Sequence, residues 1–330
     1  MTKKNTVLHI NNYARLGGIE TTVIDFVKAF PQLFHVLLTV NSGGEDLGFI
    51  RYLQNQHVKY MNAGDMVTKE MVKDIDPFVI MLHNTKGSSL EGGWPFEWLR
   101  RYRVIGVHHM VTRPLIPADY DWFVSEWVRR AYSNCERRMK TNAVTMPPCV
   151  DVAPYINIKR PVRRPVVGRV QSGTWVSRGK VPPSFYTLLK RLRGCDFSLV
   201  GASPSGDDRF KVRPTKAGGM ASFLEGIDIF AIWGDTTESW SKVVTEANLS
   251  GIPVVARDHK DGLSEQLRAS GGGFLVQSED EFVEKVQYLI DTPESCKTIG
   301  ELGKRWCMRN ASLTRLRTQF MDMFLDWAVA

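Results

Sequence analysis

Two carboxylates, Glu238 and Glu246, stand eight positions apart just ahead of the run Gly251-Ile252-Pro253-Val254-Val255-Ala256. In a 330-residue chain with 35 acidic residues the spacing alone says little, but its setting says more. The apolar run 227–232 before the first glutamate reads as a buried strand of a parallel sheet. After it, Val243, Val244, Ala247 and Leu249 cluster at helical spacing. One glutamate therefore falls at a helix entrance, beside Ser241 and Lys242, and the other two turns inside. At 1.5 Å per residue the separation is about 12 Å, the reach from a sugar across a diphosphate to a ribose. Hydroxyl groups at both ends of a nucleotide-sugar are what such a pair would hold.

A diphosphate between those ends needs cations. Arg169 follows the first strand of the second half and Lys180 lies eleven positions later, ahead of another helix. With the N-terminus of the helix after Glu238 they would hold a diphosphate and stabilise the charge that builds on it as it leaves. Arg178 competes with Lys180 for that role. In the first half, Gly17-Gly18 separates the first strand from the first helix, so the backbone there can approach a ligand closely. The three-glycine dinucleotide fingerprint is missing, and a plain structural turn is the alternative. Glu20 is expected to complement the helix dipole. His108 and His109 end the run 104–107, and His83 and Asn84 end the preceding strand, so polar groups converge on one sheet edge. A histidine there can donate to or polarise a substrate hydroxyl, and an ordinary loop histidine is the competing reading. Asp74 and Asp76, like Asp119 and Asp121, have the look of metal-binding pairs, but neither pair follows a strand and no metal site is expected. A nucleophile elbow, a Walker loop and an HExxH motif are all missing.

These groups need a frame. Apolar runs at 7–10, 34–40, 78–82, 104–107 and 122–124 alternate with helical patterns. One of these is a first helix running through Phe30 with Ile19, Val23, Phe26 and Val27 on one side. The alternation pauses at Met146-Pro147-Pro148 and across 154–165, then resumes with 166–167, 197–200, 227–232, 253–256 and 273–276. Helical patterns at roughly 279–291, 294–308 and 312–328 close the chain. Strands alternating with helices predict α/β architecture with two parallel sheets, and ligands in such sheets bind beyond the strands' carboxyl ends. Five scattered cysteines read as reduced thiols, and no signal peptide or long apolar run is seen, so a cytoplasmic protein without a transmembrane segment is expected. A net charge of +8 points to an anionic partner: a nucleotide-sugar, nucleic acid or an anionic lipid surface. Residues 94–103 interleave Trp94, Phe96, Trp98 and Tyr102 with Arg100, Arg101 and Arg103. With Arg129, Arg130, Arg137, Arg138 and Lys140, they suit contact with DNA through stacking and phosphates. Amphipathic helices with their arginines in water are the alternative.

The whole pattern resembles the GT-B glycosyltransferases, in particular the retaining family-4 type. Gly17-Gly18-Ile19-Glu20 looks like that family's N-terminal glycine loop, and Val124-Ser125-Glu126-Trp127-Val128-Arg129 like a segment of its first domain. Cys149-Val150-Asp151 resembles the domain junction, with Cys in place of the usual Gly. Gly168-Arg169 with Lys180 resembles the diphosphate clamp, at a longer spacing than usual, and Leu199-Val200-Gly201 the strand and glycine near the nucleotide base. Glu238 through Glu246-Ala247 and Gly251-Ile252-Pro253-Val254-Val255 resembles the most specific signature, with Ser239 replacing a common Gly and Trp240 as the aromatic that would shape the sugar pocket. The resemblance implies two Rossmann-like domains facing a central cleft. Residues 1–155 would form the acceptor side and 156–310 the nucleotide-sugar side, with 311–330 a helix returning to the first domain. It implies that Glu238 holds the donor sugar and Glu246 the ribose, that His108 or His109 sits near the sugar, and that no metal or other cofactor is required. The implied activity is retaining transfer from a UDP-sugar to a hydroxyl. The favoured acceptor is a 5-hydroxymethylpyrimidine in viral DNA, acting in the host cytoplasm. A saccharide or lipid-linked glycan acceptor, a GT-B-like sugar-nucleotide epimerase and a non-enzymatic nucleic-acid-binding protein are the alternatives.

Overall fold

The computed structural model describes residues 5–12, 14, 17–40, 46–85, 87–92, 96–110, 116, 118–133, 142–159, 163–170, 182–200, 208–213 and 219–329. By its contacts the chain divides into two units, residues 1–149 with 313–330, and residues 150–312. Unit 1 runs β1 (Thr6–Asn11), α1 (Gly18–Ala29), β2 (Phe34–Thr39), α2 (Leu47–Asn55), β3 (Val58–Asn62), α3 (Lys69–Ile75), β4 (Val79–His83), β5 (Arg103–His108), β6 (Tyr120–Phe123), α4 (Glu126–Ser133) and β7 (Asn142–Thr145). Unit 2 runs β8 (Val166–Val170), α5 (Pro183–Arg191), β9 (Asp196–Val200), β10 (Phe210–Arg213), α6 (Met220–Glu225), β11 (Ile229–Ile232), α7 (Lys242–Leu249), β12 (Val254–Arg257), α8 (Gly262–Ser270), β13 (Gly273–Val276), α9 (Glu279–Asp291) and α10 (Pro293–Asn310). The last helix, α11 (Leu313–Val329), belongs to unit 1.

Among the described residues both sheets are wholly parallel, ordered β3-β2-β1-β4-β5-β6-β7 and β10-β9-β8-β11-β12-β13. Helices cover both faces. Val7, Val79, Met81, Ile105 and Val107 face α1 and α11, while Leu8, Ile10, Leu38, Ile80 and Leu82 fill the opposite core. Burial on both sides is why β1 and β4 read as continuous apolar runs rather than alternating ones. Leu316, Phe320 and Phe324 recur every fourth position on α11 and pack on Phe26, Phe30 and Trp122. Each such side chain contributes about 1.5–3 kcal/mol by leaving water. In unit 2 the same logic builds two cores, one around Phe185, Phe197 and Phe282 and one around Phe230, Val244, Leu249 and Ile252.

The sequence pattern does not reveal β3, β7 and β10, and all three lie at sheet edges. An edge strand buries less, so its apolar signal is weak. Residues 96–103 do not form the amphipathic helix that was the alternative reading of this segment; they form a 3₁₀ turn, Glu97–Arg101, then Tyr102 and the start of β5. Phe96 takes a left-handed conformation (φ 55°) that bars helix entry, and Trp98 Nε1 is committed to the Glu91 carbonyl at 2.9 Å.

In each sheet the chain reverses its direction of growth once, between β1 and β4 in unit 1 and between β8 and β11 in unit 2. Strands diverge to either side at such switch points, and a crevice opens at their carboxyl ends. The groups capable of chemistry gather at these two edges.

Candidate active site

In unit 2 a small, solvent-open pocket sits at the switch point. Arg169 enters it from β8, Glu238 from the loop after β11, and Arg257, His259 and Asp261 from the end of β12 and the loop beyond. Arg169 is buried. Its guanidinium lies 5.2 Å from the Phe185 ring centroid and Nη1 donates to the Ala231 carbonyl at 3.5 Å. Lost hydration pulls its pKa down from 12.5 to about 10, and the Glu238 carboxylate opposes that fall. At neutral pH Arg169 remains a cation. A buried, preoriented guanidinium at a pocket wall suits a phosphate or carboxylate oxygen better than a solvated lysine does.

The loop bearing Glu238 is held by the N-terminus of α8. Asp261 caps that helix, with Oδ1 accepting from the Ser264 N–H (2.9 Å) and hydroxyl (3.0 Å), and its other oxygen accepts the Glu238 N–H at 2.6 Å. The Leu263 N–H in turn donates to the Glu238 carbonyl at 3.2 Å. One capping aspartate thus closes both a helix end and the loop. The fit depends on Gly262, where a Cβ would lie 1.7 Å from the Ser239 carbonyl oxygen. On the other wall Arg257 pairs with Asp235 and lies 5.1 Å from the Trp233 ring centroid, and His259 Nε2 donates to the Gly234 carbonyl at 2.7 Å.

Glu246 lies on α7, whose end is set by Gly251 in the left-handed region (φ 69°), which lets Ile252-Pro253 turn into β12. Its carboxylate accepts from the Tyr155 hydroxyl at 3.1 Å. Ser241 holds the N-cap position of α7 without a side-chain cap and donates its N–H to Gln266 at 3.3 Å, and Lys242 opens the helix, buried. Trp240 stacks on Trp306 (6.2 Å between centroids) and donates to the Thr245 hydroxyl at 3.2 Å. Its ring is therefore seated on α10. Lys180, Arg178 and Gly201 lie outside the described residues.

In unit 1, Gly17 is the N-cap of α1 in extended conformation (φ −156°, ψ 174°) with no side-chain cap, and Gly18 is its first residue. Glu20 does more than complement a dipole, since its buried carboxylate accepts from Asn11 Nδ2 at 3.1 Å, tying α1 to the end of β1. The neighbouring histidines are both buried and differently engaged. His108 Nε2 meets Asp121 Oδ1 at 2.7 Å and its ring stacks on Phe123. His109 turns the other way, its Nε2 3.2 Å from His83 Nδ1 and its backbone N–H on Asn84 Oδ1 at 2.8 Å. Of the two aspartate pairs with the look of metal ligands, the second has structural work: Asp119 accepts the Val104 N–H at 2.8 Å and Asp121 holds His108. Among the described residues no group of three or more His, Cys, Asp or Glu is arranged to hold a metal ion, and no helix is long and apolar enough to cross a membrane.

Unit 2 therefore brings Arg169 and Glu238 to one pocket and supports Glu246 separately on α7. Sequence reading had not picked out Tyr155, Asp261, Arg257 or His259. Asp261 had a usable signal, since an Asp-Gly pair follows a strand and precedes a helix, with Ser three positions on. Tyr155 had none, because it lies in a proline-rich connection 91 positions from its partner.

The two parallel-sheet units have the GT-B architecture, and residues 215–306 match the family described as Glycosyl transferases group 1. Among known proteins, the trehalose synthase of Pyrococcus horikoshii is 35% identical over 86 residues. That match covers 26% of this chain and about a fifth (20%) of the curated relative's length. Anabaena HepE, solved with UDP-glucose, has the same fold with a TM-score of 0.78 at 14% identity, covering 97% of this chain and 99% of that one. Sucrose-phosphate synthase from Thermosynechococcus elongatus superposes with a TM-score of 0.72 at 14% identity over 99% of this chain and 100% of the other.

Proposed function

We propose that the chain is a retaining glycosyltransferase that moves a sugar from a UDP-sugar to a hydroxyl acceptor. The observation that carries this reading is the pairing of a buried cationic Arg169 with Glu238 across one pocket at the switch point of unit 2. A cation that stays charged in a poorly hydrated wall is suited to the diphosphate, and most of all to the charge it gains on leaving. A carboxylate beside it accepts from sugar hydroxyls, and Glu246, oriented by Tyr155, does the same for the ribose. The presence of UDP-glucose in the HepE structure supports the choice of nucleotide.

In the reaction the acceptor oxygen bonds to the anomeric carbon as the bond from that carbon to the diphosphate oxygen breaks on the same face. The acceptor's proton passes to the departing phosphate oxygen, so configuration is retained and UDP is released. No enzymic nucleophile or metal is invoked, and His108 or His109 serves as a polar contact to a substrate hydroxyl.

For the acceptor we favour a 5-hydroxymethylpyrimidine in DNA, on the +8 net charge and the exposed arginines of unit 1. Two of these, Arg100 and Arg129, are each already paired with a glutamate three positions away, so the argument rests on the net charge rather than on those two side chains. The test is incubation with a panel of nucleotide-sugars and hydroxymethylated duplex, saccharide or lipid-linked acceptors, read by mass spectrometry. Glycosylated nucleosides support DNA. Transfer only to a saccharide or lipid refutes the DNA acceptor and keeps the transferase, and epimerised donor without transfer refutes both.

A further inference from the structure

Unit 1 contains a continuous file of imidazoles, three of which, His35, His9 and His83, have no part in the reaction above. From the Phe30 carbonyl, His35 Nε2 lies at 3.0 Å, His35 Nδ1 meets His9 Nε2 at 3.2 Å, His9 Nδ1 meets His83 Nε2 at 3.0 Å, and His83 Nδ1 meets His109 Nε2 at 3.2 Å. The strand registers explain the file. His9 on β1, His35 on β2, His83 on β4 and His109 just past β5 all project to the sheet face covered by α1, where Phe26 packs edge-on against His9 and His35. Adjacent rings are 5.3–5.5 Å apart between centroids. All four are buried.

A neutral imidazole carries one N–H and one lone pair, and each hydrogen bond needs one proton. Four neutral rings bring four protons to the four bonds of the file. The Phe30 carbonyl can only accept, so His35 must donate to it from Nε2. His35 Nδ1 is then an acceptor, which obliges His9 to donate from Nε2, and the same constraint passes to His83 and to His109. From this geometry we infer that His35, His9 and His83 are a tautomer-setting relay that makes His109 Nδ1 an obligate hydrogen-bond acceptor at the sheet edge. Any group that meets His109 Nδ1 must then donate to it, a substrate hydroxyl in the reading above included. His9, His35 and His83 are positioning residues that act through His109.

Burial lowers the pKa of His9 and His35 and brings that of His83 to about 3, which keeps these three rings neutral, and the single proton on His109 is read directly by the NMR below. The Phe30 carbonyl belongs to the C-terminal end of α1, so the proton order at the ligand edge is set by a helix terminus at the other end of the strands. Asn84 complements this edge. Its Oδ1 receives the His109 and Met110 N–H groups, and its buried Nδ2 has no hydrogen-bond partner among the described residues.

The substrate-free protein tests the relay, so its failure is separable from failure of the transferase reading. Long-range proton–nitrogen correlation NMR of the imidazoles at neutral pH is expected to show all four rings protonated on Nε2 alone. A His109 protonated on Nδ1, or charged, overturns the inference. His35→Leu disconnects the file from its fixed acceptor, the Phe30 carbonyl. His9 Nε2–H would then face an apolar side chain, and the remaining file makes as many bonds when reversed. His109 should switch to the Nδ1–H form, from under about a tenth of the population to its majority. His35→Gln, whose amide both donates to Phe30 and accepts from His9, should keep the native tautomer. An unchanged His109 spectrum in a folded His35→Leu protein refutes the relay. Should that variant not fold, the native and His35→Gln spectra still decide.

Discussion

Gly262→Ala is the sharpest probe of the donor side, because the offending atom is backbone and cannot rotate away. The new Cβ would stand 1.7 Å from the Ser239 carbonyl oxygen and 2.3 Å from its carbon, where ordinary contact begins at 3.4 Å. Relief requires the 238–240 loop and the start of α8 to separate by about 1.5–2 Å, a distance at which the 2.6 Å Glu238–Asp261 and 3.2 Å Leu263–Glu238 hydrogen bonds cannot both survive. Those two bonds are worth about 1–3 kcal/mol together, a moderate loss of stability. The larger effect falls on the site, since Glu238 is displaced relative to Arg169. A misplacement of this size costs on the order of 100-fold in turnover. Calorimetry with a nucleotide-sugar and kcat/KM for transfer read the loss, with circular dichroism confirming the fold. Wild-type donor affinity and kcat/KM in a folded Gly262→Ala protein would refute the claim that this helix end positions Glu238.

Other outcomes follow from the same geometry. Tyr155→Phe removes the donor on Glu246 and should weaken nucleotide-sugar binding about 3–10-fold with little change in Tm, whereas Glu246→Ala should abolish measurable calorimetric binding. Arg169→Met should lose binding by 100-fold or more without lowering Tm. Its cost is a buried charge, and with the folded pKa near 10 and the unfolded one near 12.5 that cost is constant across neutral pH. Acid should unfold unit 1 early. His83 has a folded pKa near 3 against 6.5 unfolded, so the unfolded chain binds the extra proton and stability falls as pH drops from 6.5 towards 3. For His83 alone this is on the order of 4 kcal/mol, with His9 and His35 acting in the same direction. Hydrogen exchange at pH 4.5 should show β1, β2 and β4 losing protection before β11 and β12, and simultaneous loss in both units would count against this.

Strand and helix order was legible because parallel strands buried on both faces leave unbroken apolar runs. The edge strands β3, β7 and β10 were not legible, since half-buried segments carry no such run. Glu238 and Arg169 could be named from residue type and their place after strands, and Glu246 from its place inside the helix that follows Glu238. Their partners could not, because Tyr155, Asp261 and Arg257 reach the site through chain crossovers that no local spacing encodes. The four histidines show the division most plainly. In sequence they are scattered between positions 9 and 109, and only His108-His109 and His83 stood out, as ends of strands. Parallel pairing in the order β2-β1-β4-β5 places His35, His9, His83 and His109 side by side on one face, and a single helix-terminal carbonyl then dictates where every proton sits. Residue type determined that imidazoles were present; only the register of the sheet decided that they touch.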